Sequence, residues 1–127
     1  MRIGADYYPE HWEKERWKTD AEMMVKANIK VIRIGEFAWS LYEPEEGKYE
    51  FDWMDEALDF FGKYGIKVVM CTPSATPPKW MIDKYPDILQ NDIHGNPKLF
   101  GTRKHYCFNS ETYREKTKKL SINWHYR

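Results

Sequence analysis

Lys30-Val31-Ile32-Arg33-Ile34-Gly35-Glu36 is the stretch that decides the fold of this 127-residue chain. Residues 30–34 are apolar and β-branched almost without a break, and residues 66–72 repeat that character. Such runs suit parallel strands covered on both faces. Residues 3–8 read as a strand too, so that in chain order the three runs are 3–8, 30–34 and 66–72. Between the first two runs lies a helical pattern with Trp17, Ala21, Met24 and Val25 on one face, closed by Asn28, which tolerates the left-handed conformation that ends helices. Between the second and third, Asp52 caps a helix carrying Met54, Ala57, Leu58 and Phe61, with Lys63 in its last turn and Gly65 ending it. The order β-α-β-α-β predicts an α/β fold of parallel strands joined by right-handed crossovers.

Beyond the third strand the pattern turns irregular. Pro77-Pro78 starts a short helix through Trp80 and Met81, because proline suits a first helical turn. Pro86, Gly95 and Pro97 then punctuate a long loop. Ser110 caps a final helix, with Glu111 at its positive end and Tyr113, Thr117 and Leu120 facing inward. Residues 121–127 leave that amphipathic pattern and are expected to form a divergent tail. The links after the second and third strands are long, and parallel α/β folds keep their function in loops on that side.

Composition narrows the partners. Twenty basic and twenty acidic residues cancel, so there is no electrostatic call for nucleic acid or an anionic membrane. No apolar run reaches the length of a membrane span, and the N-terminus enters a strand with no apolar leader before it. Cys71 and Cys107 stand far apart, which fits a reduced cytoplasmic setting. Six Trp and nine Tyr supply either a large core or flat apolar faces for sugar rings.

Strand alternation places Val31, Arg33 and Gly35 on one face. A guanidinium in an apolar strand is costly unless it meets a carboxylate or a ligand. Two readings stay open: an ion pair with Glu36 or Asp6, or a substrate contact. Glu36 falls just past the strand end, where it can serve as acid, base or hydrogen-bond acceptor. Glycosidases use two carboxyls, and Glu36 with Asp6 is a nominal pair. A third cluster runs from Gly101 to Ser110 and holds Arg103, His105 and Cys107. Taken singly these read as a solvated arginine, a satisfied histidine and a buried thiol. One Cys and one His do not make a zinc site, and Cys71 reads as a core residue.

Several segments together resemble glycoside hydrolase family 42, the β-galactosidases. They are Gly4-Ala5-Asp6-Tyr7-Tyr8-Pro9-Glu10-His11-Trp12, then Val31-Ile32-Arg33-Ile34-Gly35-Glu36-Phe37-Ala38-Trp39. The loop from Glu43 to Trp53, Thr72-Pro73-Ser74-Ala75-Thr76-Pro77-Pro78-Lys79-Trp80, and the Gly101–Ser110 cluster match as well. The resemblance runs from Ile3 to about Leu120. It implies the N-terminal part, about three strand-helix units, of a (β/α)8 TIM barrel acting on terminal β-galactosides with retention. Residues 1–120 would be this partial barrel and 121–127 the divergent tail. Arg33 and Arg103 match positions that bind the sugar, Glu36 is a further substrate-binding candidate from its place past the strand end, and Cys107 matches one of four cysteines that hold a structural zinc in some members. The other three are missing, so no zinc or other cofactor is expected here. Full-length relatives are often homotrimeric.

The family's acid/base glutamate follows an asparagine, and this chain has no Asn-Glu pair. The chain by itself is therefore expected to be inactive. Two alternatives are a galactoside-binding or regulatory module, and a small hydrolase built on Glu36, Asp6 or His11.

Overall fold

The computed structural model describes residues 3–102 and 104–125. Its strands are β1 (Ile3–Asp6), β2 (Ile29–Ile34) and β3 (Lys67–Met70). Its α-helices are α1 (Lys14–Lys26), α2 (Trp39–Tyr42), α3 (Asp52–Lys63), α4 (Lys79–Lys84) and α5 (Glu111–His125). The chain divides into two compact units, Met1–Glu36 with Phe51–Cys71, and Phe37–Glu50 with Thr72–Arg127.

The first unit holds the whole sheet. Both strand pairs are parallel, in the order β1-β2-β3, as the alternation of strand and helix predicts. Helix α1 packs on β2 and α3 on β3. Ile32 and Ile34 of β2 are sealed from solvent, at 0% and 1% exposure. Trp17, Ala21 and Met24 of α1 are buried, as are Met54, Ala57 and Phe61 of α3. The Trp17 and Phe61 rings lie 6.2 Å apart, and Tyr7 meets Phe61 edge-on at 5.2 Å. Val25, expected on the inner face of α1, is exposed.

The opposite sheet face departs from the expectation of strands covered twice. Val31 and Arg33 are only half-buried, and Val69 on β3 is 51% exposed. The apolar run in β2 reflects one sealed face plus valine's preference for extended backbone.

Helix ends follow local chemistry. Asn28 takes φ 57°, and Gly65, at φ 70°, follows α3. Asp52 is the first helical residue of α3 and not its cap; Phe51 occupies that position. Asp52 and Asp55 still put negative charge at the positive helix end. In α1, buried Asp20 accepts a hydrogen bond from Tyr7 Oη at 2.9 Å and one from Arg16 Nε at 2.8 Å. Burial, then the bond to Asp20, pushes the Tyr7 phenol far above its ordinary value.

The second unit is built on loops and short helices. Trp39, Tyr42, Met81 and Ile88 are fully buried. Buried Glu43 accepts from Trp39 Nε1 at 2.9 Å and from the Gly47 amide at 2.8 Å, while its carbonyl accepts from Trp80 Nε1 at 2.8 Å. Gly47, at φ 79°, allows the tight turn that brings its amide back. Glu46 accepts from Lys84, Lys116 and Tyr85, joining the turn after α2 to α4 and α5. The bonds from Lys116 and then Lys84 hold its carboxyl at about 2, well below the ordinary value.

Ser110 caps α5 as expected: its Oγ accepts from the Tyr113 amide at 3.2 Å. Tyr113 and Leu120 are buried on the inner face. Residues 121–125, expected to leave the pattern, continue α5 to His125. The physical reason is a tertiary contact that periodicity does not show, because the Trp124 ring lies 4.6 Å from that of Tyr42. No helix among the described residues is long and apolar enough to cross a membrane.

Two outcomes follow from this packing. Ile32→Ala empties a sealed site and is expected to cost about 2–5 kcal/mol, read from the midpoint of urea unfolding. Because the folded carboxyl of Glu46 titrates near 2 and an unfolded one near 4.5, its stabilisation is present above pH 4.5 and fades as pH falls towards 2. Glu46→Gln should flatten the dependence of unfolding midpoint on pH across that window.

Candidate functional site

Register explains how the first unit assembles its polar cluster. Asp6 of β1 is paired with Arg33 of β2, and Arg33 with Val69 of β3, so all three lie in one row across the sheet. This row falls at or near the C-terminal ends of the strands, the side where parallel α/β folds place their sites. Arg33 Nε donates to Asp6 Oδ1 at 2.9 Å. Its Nη2 donates to Glu36 Oε2. The strand ends at Ile34, and Gly35, at φ 83°, takes a left-handed turn open to glycine at little steric cost. That turn returns Glu36 to the guanidinium three residues behind it.

The ion-pair reading of Arg33 therefore applies with both candidates at once. The guanidinium is not enclosed in a dry strand, since its side chain is 40% exposed. It sits on the open sheet face, where water or a polar ligand can reach it. Asp6 is more exposed still, and Glu36 is mostly buried. The bond to Asp6 is the largest reason that the Arg33 guanidinium is held even more firmly in its charged form.

Cys71 is a correction. It lies just beyond β3, half-buried, with its amide donating to Ile34 O at 3.0 Å. Its thiol is close enough to Arg33, Glu36 and Asp6 for their charges to act on it. Burial pushes that thiol up, and the Arg33 charge opposes the rise. An apolar run read from sequence hides this, because the position follows the strand's last residue instead of lying within it.

The second unit holds the remaining candidates. Arg103, a proposed sugar-binding residue, lies outside the described residues. His105 is buried, not simply satisfied: Nδ1 lies 2.5 Å from Thr102 O, while Nε2 is buried with no hydrogen-bond partner among the described residues. Cys107 is free and half-buried, its amide bonded to Ile88 O at 2.7 Å. Among the described residues no group of three or more His, Cys, Asp and Glu side chains comes together to hold a metal. A tetrahedral zinc takes four ligands, so Cys107 with the residues described around it does not fit one.

The tryptophans differ in exposure. Trp17 and Trp39 are core residues, whereas Trp12 is 49% exposed. His11, considered for a small hydrolase, is exposed and stacks on Tyr8 at 5.3 Å.

A family model described as Beta-galactosidase, that of glycoside hydrolase family 42, matches residues 6–126. The chain belongs to this family. It is 50% identical over 120 residues to a β-galactosidase of Haloferax lucentense, covering 94% of this chain and 18% of that protein. It is 53% identical over 118 residues to a β-galactosidase of Thermus thermophilus, with 93% and 18% covered. Among solved structures, the β-galactosidase of Halorubrum lacusprofundi superposes with TM-score 0.93 at 45% identity, over 98% of this chain and 19% of that one. The sheet and its helices are thus the N-terminal part of a family 42 (β/α)8 barrel. The chain spans under a fifth of the length of the relatives it matches. The match extends through the residues of α5 beyond Leu120.

Cys71 reports on this polar row. Its alkylation by iodoacetamide should rise with pH about a midpoint above that of a free thiol. Arg33→Ala removes a nearby charge that favours thiolate, so the midpoint should move higher still and the rate at pH 8 should fall.

Proposed function

We propose that this chain supplies part of the sugar-binding wall of a retaining β-galactosidase that cleaves terminal β-D-galactosides, and does not itself carry the bond-breaking groups. The observation that supports it is Arg33, fixed between Asp6 and Glu36 on the open side of the sheet. A guanidinium has five N–H donors in a rigid plane. With Nε and one Nη2 hydrogen engaged by carboxylates, its orientation is set and the rest of the fork is available to sugar hydroxyls. By resemblance, Arg103 is the second such donor.

Retention requires two carboxyls about 5 Å apart, one as nucleophile and one as acid and then base. Asp6 and Glu36 share a single cationic partner and hold it in place. That arrangement suits positioning better than a pair facing across a glycosidic bond. With no Asn-Glu pair in the sequence, the acid/base position of the family has no counterpart here. General acid-base assistance is worth about 10²- to 10⁴-fold, and the covalent route needs its own nucleophile. Binding energy is limited as well. A charge-assisted hydrogen bond nets about 1.5–3 kcal/mol, and millimolar affinity needs about 4. The two free cysteines fit a reducing, cytoplasmic setting.

The purified chain should release no chromophore from a nitrophenyl β-galactoside above the buffer rate. Methyl β-D-galactopyranoside should bind at millimolar concentration or weaker, and Arg33→Ala should abolish perturbation of the Asp6 and Glu36 resonances. Turnover lost in Glu36→Gln would replace this reading with a small hydrolase. Binding much tighter than about 1 mM would favour a dedicated galactoside-binding module.

A further inference from the structure

Among the described residues β1 is paired on one side only, so its outer edge carries open backbone N–H and C=O groups. Helix α1 beside it presents two distinct stripes. Trp17, Ala21 and Met24 point into the core, where Trp17 meets Phe60 of α3 at 5.8 Å. Lys14, on the α3 side, donates to Glu56 of that helix. Arg16, Asp20, Met23 and Ala27 recur at spacings of three and four. They form a second stripe, about a quarter-turn from the core residues and on the side away from α3. That side faces the free edge of β1.

The second stripe walls a groove of about 460 Å³ that lies wholly within the first unit. Towards the start of α1 the groove is lined by Trp12, Arg16 and Asp20, and towards its end by Met23, Ala27 and Ile29. The first part is polar and already ordered: Asp20 holds Arg16 Nε, and the guanidinium lies over the Trp12 ring at 5.1 Å. The second part is apolar, and Met23 is 58% exposed. An exposed methionine beside an alanine is adaptable apolar surface that a second helix can approach closely. From Arg16 to Ala27 the stripe runs about 16 Å, which suits a helix of about three turns.

We propose that this face docks, in trans, the closing strand and helix of a separate family 42 polypeptide, the strand pairing with the free edge of β1 and the helix filling the groove. A parallel sheet rolled into a barrel has no free edge, so the face calls for a strand followed by a helix. Over four-fifths of the length of each relative named above lies outside the match and is there to supply them. A second copy of this chain offers β3 as its other free edge. But β3 is followed by loops and the six-residue α4, not by a helix of three turns. The fold matches that of a much longer family member, so the face is preformed and docking carries little ordering cost. Barrel helices run in one direction. The docked helix therefore has polar first turns against Arg16 and Asp20, and apolar last turns against Met23 and Ala27. This face uses neither Arg33 nor Glu36, so it stands apart from the sugar binding proposed above.

The test is co-expression of the full 127-residue chain, carrying an affinity tag, with the Thermus thermophilus β-galactosidase lacking the 118 residues that this chain matches. The two should co-purify in equal amounts. Met23→Asp buries a charge in the interface and should lower co-purification at least about tenfold. Ala27→Phe fills the groove without adding charge and should lower it as well. Val25→Asp, exposed on α1 but off the stripe, should leave it unchanged. Met23 and Ala27 are exposed, so neither substitution should move the unfolding midpoint of the chain alone. Failure to co-purify would overturn the proposal, as would a complex that survives both Met23→Asp and Ala27→Phe. So would a dimer of the chain alone that Met23→Asp disperses, since a second copy would then occupy the groove. Turnover of a nitrophenyl β-galactoside by the complex, lost in Arg33→Ala, supports both docking and the sugar-binding wall. A complex that Arg33→Ala leaves fully active supports docking and counts against that wall, so the two proposals fail separately.

Discussion

Everything in the first unit depends on the parallel pairing of β2 with a strand on each side. Period-two alternation within β2 sends Ile32 and Ile34 into the helices and leaves Arg33 on the opposite face. Pairing with β1 then sets Asp6 beside Arg33. A slip of one residue would turn the isoleucines to solvent and the guanidinium into the core. Hydrophobic burial of two side chains thus fixes the position of a charge that contributes little to stability itself. Packing and site are coupled through one strand.

The second unit solves a different problem. It has little regular structure near its centre, so buried polar atoms do the organising. Glu43 meets an indole and a backbone amide, and its carbonyl meets a second indole. Glu46 gathers two ammonium groups and a phenol from α4, the residue following it, and α5. Such carboxylates replace the backbone ladders that a sheet would have supplied. They also make long loops definite in shape, which a binding surface requires.

The cluster at Arg33 is an ion-pair network on the open sheet face. Asp6 and Glu36 hold one guanidinium, and Cys71 lies within reach of their charges without a nucleophile's surroundings, since burial raises its thiol.

The order of strands and helices, the parallel sheet, the helix ends at Asn28 and Gly65 and the cap at Ser110 were all legible in sequence. Each is a local property: side-chain periodicity, a backbone angle, or a hydroxyl three residues from an amide. The motif segments carried the family for the same reason, being contiguous. Tertiary structure alone decided what depends on distant residues. It opened the second sheet face, moved Cys71 out of the core, and kept residues 121–125 helical through Trp124 on Tyr42. It also left His105 half-satisfied, because a hydrogen bond is completed or missed according to which chain segment arrives, and sequence spacing does not encode that arrival.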